Sequence, residues 1–518
     1  MSVDSVFQLD RYQFIVLAFN EFAIFTMLSN VIFNVFGVAH PKILGCDDVL
    51  YNGTTPWEIC AEYDSDVTCV HPVVQYEFKS AAVEFQEFCN RPSGNALMIF
   101  LSGSPNRAKF STTLQMMGIM LGSAIGGYTS DRFGRRKMVL LYLTSIFLST
   151  VASSFGPTME FYISFRFLVG IFCGALITVA NVFVMENLPS AHRLWMSTVV
   201  TWAPNYILFS VFAYFAQEWR TLARMSSVMT VFAILICAFG MPESAKYLVQ
   251  KRDKKGALAS LTFVNQFKSS TKKFTPEQLA EIIDVECASI AQNENKKRKN
   301  GIATLYSTRF RKPTIVVSLS MFALSFITYG LLFNYDALSG SIFVNMAISG
   351  VFRYIVGALV ALLDHFWGLG RKRLHFSTIT FIMTCMLSTF LILVTGNSIR
   401  FKFFTRAFTL LAFGTTGCMY LLLLLVTAEI FPTSVRNVAL GHVNVWGRMG
   451  NILGPMIFNL FNGNSYAYLI LVILSVADLL IFHIFIPETK GRPLPNETAK
   501  DFPKKNEGVE LLALSSKN

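Results

Sequence analysis

The chain is 518 residues long, 53% hydrophobic, 14% aromatic and only 15% charged, with a mean hydropathy of +0.48. Soluble domains carry about a quarter charged residues, so this composition excludes an ordinary soluble protein and indicates one that lives in a bilayer. The formal net charge of +12 would point to nucleic acid in a soluble chain; here it belongs to a membrane surface, and no nucleic-acid partner is expected.

A span of the hydrocarbon core takes about 20 apolar residues. Twelve such runs, bounded by charge, Pro or Gly, lie near residues 12–36, 111–128, 138–156, 160–185, 194–215 and 221–240, then 313–333, 342–363, 374–394, 403–427, 438–460 and 466–486. They predict an all-α membrane protein of twelve transmembrane helices. The first run is long and carries Asn20, Glu21, Asn30 and Asn34, too polar for a cleaved signal peptide, and is read as a retained helix.

Basic residues set the orientation. Arg132, Arg135, Arg136 and Lys137; His192 and Arg193; Lys251, Arg252, Lys254 and Lys255; Lys296, Lys297, Arg298 and Lys299; and Arg371, Lys372 and Arg373 all fall on one side of the weave. That side is expected to be cytoplasmic and to hold both termini, with Arg400 and Lys402 as exceptions.

The loop of about residues 37–110 then lies outside. It contains Cys46, Cys60, Cys69 and Cys89, an even number that in an oxidising compartment predicts two disulfides, with three pairings open. The same loop holds the sequon Asn52-Gly53-Thr54, a glycosylation candidate, whereas the sequon at Asn496 falls in the cytoplasmic tail. The second long loop, 249–312, is Lys-rich, with a helical stretch at PEQLAEIIDVECASIAQ. The expected organisation is a six-helix half over 1–248, a cytoplasmic linker over 249–312, a second six-helix half over 313–490 and a tail over 491–518.

An internal repeat supports this division. Glu186-Asn-Leu-Pro189-Ser190-Ala-His-Arg193 recurs as Glu429-Ile-Phe-Pro432-Thr433-Ser-Val-Arg436, displaced by 243 residues. Pro242-Glu243-Ser244 recurs as Pro487-Glu488-Thr489, displaced by 245, and Arg166 with Gly174 recurs as Arg406 with Gly414, displaced by 240. The turn Asp131-Arg-Phe-Gly134-Arg135-Arg136-Lys137 has a looser counterpart between Asp364 and Arg373. Four matches in register indicate duplication.

GGYTSDRFGRRK resembles the loop 2–3 signature of the major facilitator superfamily. The cysteine-bearing first loop, AEIFPTSVRN, PESAKYL and PETKGRPLP together resemble the organic cation, organic anion and carnitine transporter family along nearly the whole chain. The first loop has four cysteines where that family commonly has six. The resemblance implies a major facilitator fold of two six-helix pseudo-repeats that rock about a central site.

On this reading Asp131, Arg135, Arg136, Glu186, Arg193 and Glu243 of one half face Glu429, Arg436 and Glu488 of the other as a cytoplasmic gate. Each exposed pair would contribute roughly 0.2 to 1 kcal/mol. An ionisable residue at mid-membrane costs about 2.5 to 3.5 kcal/mol on insertion scales, so Arg448 in the eleventh run marks the substrate site. Gly441, Asn444, Arg448, Asn451 and Pro455 form one helical stripe around it. In the resembling family an acidic residue at this position accompanies cation transport, and Arg accompanies anion and carnitine transport. Further substrate-binding candidates are Arg353, Asn34 on a face of the first run shared with Asn20, Met27 and Asn30, and Tyr329 and Tyr420, with Ser325 and Thr328 beside Tyr329. Glu21 is read first as an ion-pair partner of Arg448 or Arg353.

The sequence offers no metal-ligand spacing, nucleotide loop or nucleophile elbow, so no enzyme, catalytic residue, metal or cofactor is expected. The expected partners are a small organic ion and the lipid bilayer, in a monomeric transport unit at the plasma membrane. The function read from the sequence is alternating-access transport of organic anions or zwitterions. The alternatives are an organic cation transporter and a transport-dead transceptor or interaction protein on the same scaffold.

Overall fold

Each apolar run folds as a helix because nothing in the bilayer core can satisfy an open backbone. The structure, a computed structural model, describes residues 3–47, 49–51, 56–65, 69, 71–89, 106–189, 201–268, 273–294, 302–335, 338–368, 370–397, 399–460 and 464–490. The first six long helices are α1 (Arg11–Val31), α2 (Arg107–Phe133), α3 (Arg135–Ser153), α4 (Met159–Asn187), α5 (Trp202–Ala216) and α6 (Trp219–Leu235). The second six are α7 (Arg311–Leu332), α8 (Ile342–Trp367), α9 (Arg371–Val394), α10 (Lys402–Ile430), α11 (Thr433–Leu460) and α12 (Asn464–Phe485). Each of the twelve expected runs contains one of these helices, and residues 194–200 of the fifth run lie outside the described residues.

Eight described helices are long and apolar enough to cross a membrane: α1, α4, α6, α7, α8, α9, α10 and α12. The other four are exceptions with physical reasons. The described part of α5 is only 15 residues long, α3 opens on Arg135, Arg136 and Lys137, and α2 and α11 are rich in Gly and polar residues. Those two helices pack on each other across the two halves, as do α5 and α8, so their polar faces need not meet lipid.

Small residues set the closest contacts. Gly118, Gly122 and Gly126 of α2 abut the α4 backbone at Phe167, Ile171 and Ala175, leaving no room for a Cβ. Gly450 and Gly454 of α11 seat α7 in the same way. Arg166 is fully buried beside this seam, stacked 3.8 Å over Phe33 and bonded to Ser153 Oγ at 3.2 Å.

The two ends of the bundle differ in kind. At one end, β1 (Lys42–Cys46) is the centre of a three-stranded antiparallel sheet with β2 (Val49–Leu50) and β3 (Pro72–Gln75). Disulfides join Cys46 to Cys69 and Cys60 to Cys89, which selects the crossed pairing among the three open alternatives. Asn52 lies outside the described residues. At the other, basic end, the linker forms helices Ala245–Gln250, Lys254–Gln266, Pro276–Glu294 and Ile302–Leu305, the third covering the expected helical stretch. The N-terminal residues Val3, Val6 and Phe7 are buried, with the Val3 amide directed at Glu286 of that third linker helix.

Candidate functional site

The polar stripe of α11 is graded along its length. Gly441 is exposed, with nothing within 4 Å of where a Cβ would stand, and Asn444 is exposed too. Arg448 is half-buried, Asn451 is only 2% exposed and Pro455 is buried. Since α11 starts at the basic end, its stripe passes from exposed there to buried just beyond Arg448.

Among the described residues, the Arg448 guanidinium makes no hydrogen bond or ion pair. It lies within charge-interaction range of the Tyr329 hydroxyl on α7 and the Cys173 thiol on α4. Tyr329 also sits within range of Arg353 and of the Tyr206 and Tyr420 hydroxyls. Tyr420 of α10 accepts a hydrogen bond from Ser325 Oγ at 3.5 Å. Arg353 of α8 lies over the rings of Tyr206 (5.6 Å) and Phe413 (5.3 Å), and its Nη1 is buried without a hydrogen-bond partner. Gly417 of α10 creates that slot, because a Cβ there would stand 2.6 Å from Arg353 Nε.

The fold therefore brings Arg448, Arg353, Tyr329 and Tyr420 together around one hydroxyl, with Asn444 one turn nearer the basic end. It does not bring Asn34 there. Asn34 is buried in the first half, where its amide donates to Ser111 Oγ at 3.3 Å and its carbonyl accepts from Tyr162 at 2.7 Å. Asn30 is also turned inward, accepting from Thr150 at 3.1 Å. The expected ion pair of Glu21 is absent among the described residues: its carboxylate accepts from Asn205 Nδ2 of α5 at 2.9 Å. Asn205 is nearer on a facing helix, which leaves both arginines uncompensated by Glu21. Sequence reasoning missed Tyr206 and Phe413, for which no signal separates a cavity aromatic from a packed one among 49 Phe and 17 Tyr.

Beyond the site, the disulfide end is sealed across the two halves. Phe343, at the start of α8, stacks on Phe36 at 5.6 Å and meets Tyr214 and Phe78 edge-on at 5.7 and 6.2 Å. Its carbonyl accepts from Ser210 Oγ at 2.6 Å, and Glu77 accepts the neighbouring Ile342 amide at 3.2 Å. Residues of the first half thus enclose the first turn of α8.

The basic end is arranged differently from the sequence expectation. Glu243 Oε1 accepts the Arg135 and Arg136 amides, both at 2.9 Å, and so caps the N-terminus of α3. Gly134, at φ 108, makes the turn, with its Cα beside the Glu243 carboxylate. Arg136 Nη2 donates to the Ala238 carbonyl at the end of α6. Arg135 pairs with Asp131 at 2.5 Å and with Glu186 at 3.7 Å. In the second half Glu488 accepts the Arg371 and Lys372 amides at 2.7 and 3.1 Å, and Arg371 pairs with Glu429 at 3.4 Å. Arg436 bonds the Phe431 carbonyl that ends α10. Among the described residues no ion pair joins the two clusters, and each is closed within its own half. Arg193 lies outside the described residues. The physical cause is local: helix-terminal amides use up the carboxylates that were expected to reach across. Burial raises the Glu488 carboxyl, but backbone amides of Lys490, Lys372, Arg371 and Thr489 outweigh it and hold it below the ordinary carboxylate range.

Two duplicated six-helix halves, with Arg353 and Arg448 carried inside their helices, are the architecture of a membrane transporter of the major facilitator fold. A family model described as sugar (and other) transporter matches residues 77–499, and the chain belongs to that family. Organic anion transporter 3 of Rattus norvegicus is 27% identical over 415 residues, covering 77% of this chain and 73% of its own. The organic cation transporter protein of Drosophila melanogaster is 27% identical over 401 residues, covering 76% and 70%. The partially occluded, inward-open structure of the xylose transporter XylE from E. coli superposes with a TM-score of 0.63 at 16% identity, covering 92% of this chain and 99% of that one. Family and fold are those of transporters of small molecules embedded in a membrane, not of enzymes.

Proposed function

We propose that this protein moves small organic anions or zwitterions by alternating access, with Arg448 as the group that selects substrate charge. The observation that carries the reading is an arginine with no protein partner among the described residues, half-buried where the polar stripe of α11 passes from exposed to buried, within charge-interaction range of Tyr329. A guanidinium offers a planar pair of donors to a carboxylate, and the pairing strengthens where water is largely excluded. Arg353 is a second cation at the same site, while Tyr420 and Asn444 supply neutral polar contacts. A cation reading would use the aromatic faces, but Arg353 already covers those of Tyr206 and Phe413. Relatives bearing anion and cation names are both found at 27% identity, so the similarity does not separate the two and the reading rests on the arginines.

The proposed setting is the plasma membrane, as a monomeric unit with both termini and the linker in the cytoplasm and a glycan at Asn52 outside. The charge clusters at the basic end act as the cytoplasmic gate by holding α3 and α9 in place within each half while the cavity is open to that side. The second-half cluster repeats the first in geometry despite its looser turn, which argues against a scaffold that has lost transport. Uptake by cells expressing the full chain tests this, comparing a dicarboxylate, an aromatic monocarboxylate, carnitine and a quaternary ammonium. Saturable uptake of a carboxylate or carnitine is expected. Uptake of the quaternary ammonium alone would overturn the charge assignment, and binding without flux would establish the transceptor instead.

A further inference from the structure

The side of α11 opposite the Asn444–Arg448 stripe carries a second group of side chains. His442 and Trp446 are one turn apart, and the Trp446 indole Nε1 donates to His442 Nε2 at 3.2 Å. The hydroxyl of Tyr306, which follows the last linker helix, lies 3.0 Å from the same Nε2, with its ring edge-on to the imidazole at 5.6 Å. Trp446 in turn meets Phe322 of α7 at 6.4 Å.

An indole N–H can only donate. Nε2 must therefore present its lone pair, which fixes a neutral imidazole with its proton on Nδ1 and makes the Tyr306 hydroxyl a second donor. A proton added at Nε2 sets two N–H groups against each other. Tyr306 can answer by rotating its hydroxyl and accepting; Trp446 has no such answer. Protonation thus keeps the linker contact and expels the indole. The groups facing the ring are Tyr306 from the linker and Trp446 from α11, with Phe322 of α7 behind Trp446, and no charged side chain among the described residues bears on it. The ring is partly exposed at the basic end, so protons from that side reach it.

We infer that His442 is a proton sensor on the helix that carries Arg448: acidification of the basic side releases Trp446 from His442, loosens the α7–α11 contact and slows transport. The effect on rate rests on the transporter reading above; the effect on Trp446 does not.

The test uses the full chain in two measurements. Tryptophan emission of the purified protein in lipid nanodiscs, taken as the difference from Trp446→Phe, should change as pH falls from about 8 to about 5, the range in which histidine titrates. His442→Gln should abolish the change, because a glutamine oxygen accepts from both donors at every pH. Initial uptake by the wild type should fall roughly three- to tenfold over the same range on acidifying the basic side, the factor one lost hydrogen bond produces. Uptake by His442→Gln and by Trp446→Phe should stay flat. A pH-dependent Trp446 signal that survives in His442→Gln overturns the sensor. Emission that titrates while wild-type and His442→Gln uptake follow one pH curve overturns the link to transport. Absence of uptake at every pH counts against the transporter reading, and the emission measurement still decides the sensor.

Discussion

The two ends of the bundle solve the same problem with opposite chemistry. At the disulfide end Phe343 of the second half is enclosed by Phe36, Phe78 and Tyr214 of the first, with Glu77 and Ser210 bonding the backbone around it. At the basic end Glu243 and Glu488 are each spent on the helix terminus of their own half. Apolar and backbone contacts join the halves at the disulfide end, whereas among the described residues the charges at the basic end are paired within each half. Contacts of the first kind resist parting through buried area, whereas those of the second kind part readily, because among the described residues no ion pair joins the halves there.

The largest effect is expected from breaking the aromatic seal. Phe343→Ala removes a ring packed on three others and should weaken the seal by about 3 to 5 kcal/mol. A cysteine introduced at Ser210 should then be labelled much faster from the disulfide side. Unchanged labelling would mean that other contacts hold this end shut.

Arg135→Ala comes next. It removes the arginine paired with Glu186, which is only 15% exposed, leaving Lys246 as the cation bearing on that carboxylate, and should lower stability by about 1 to 3 kcal/mol. Because Arg135 pairs within its own half, the loss should appear in thermal unfolding more than in the accessibility of cysteines near Glu429. A selective rise in that accessibility would restore a cross-half role.

Glu488→Gln sharpens the comparison through pH. The folded state holds this carboxyl below its ordinary range, so the unfolded chain takes up the proton first as pH falls. Its contribution is complete at neutral pH and disappears as the medium is acidified through the lowered value. Wild-type unfolding temperature should therefore drop on acidification below about pH 4, with a smaller drop in Glu488→Gln. Parallel acid profiles would contradict the capping role.

The smallest effect belongs to Asp131→Asn. Its side chain is 72% exposed, and the change should stay within about 0.5 kcal/mol.

The sequence revealed more of the fold than of the contacts. All twelve helices were visible as apolar runs, and their ends shifted mainly where charged turns remain helical beyond the apolar stretch. Thus α2 continues to Phe133 rather than ending near 128, and α11 starts at Thr433 rather than near 438. The duplicated motifs were visible too, but a repeat shows which residues correspond and not which ones touch. Glu186, Glu243 and Arg135 belong to one half, so their closure on one another needed only the fold of that half. Helix α1 misled for a different reason: a polar periodicity marks a face, and the face of Asn30 and Asn34 turns into the first half instead of the cavity. The slot of Arg353 depends on Gly417, a pairing between α8 and α10 with no signal along the chain. Arg448 stood out in the sequence because an arginine within an apolar run is costly and its stripe is regular, and the fold places it within charge-interaction range of Tyr329.

The selectivity of Arg448 variants shows whether this arginine reads substrate charge. Uptake of a carboxylate substrate should disappear in Arg448→Ala at unchanged surface expression, return only in part in Arg448→Lys, whose point charge lacks the planar fork, and give way to quaternary ammonium uptake in Arg448→Asp. A wild type that carries cations well, with Arg448→Ala indifferent to substrate charge, would contradict that role.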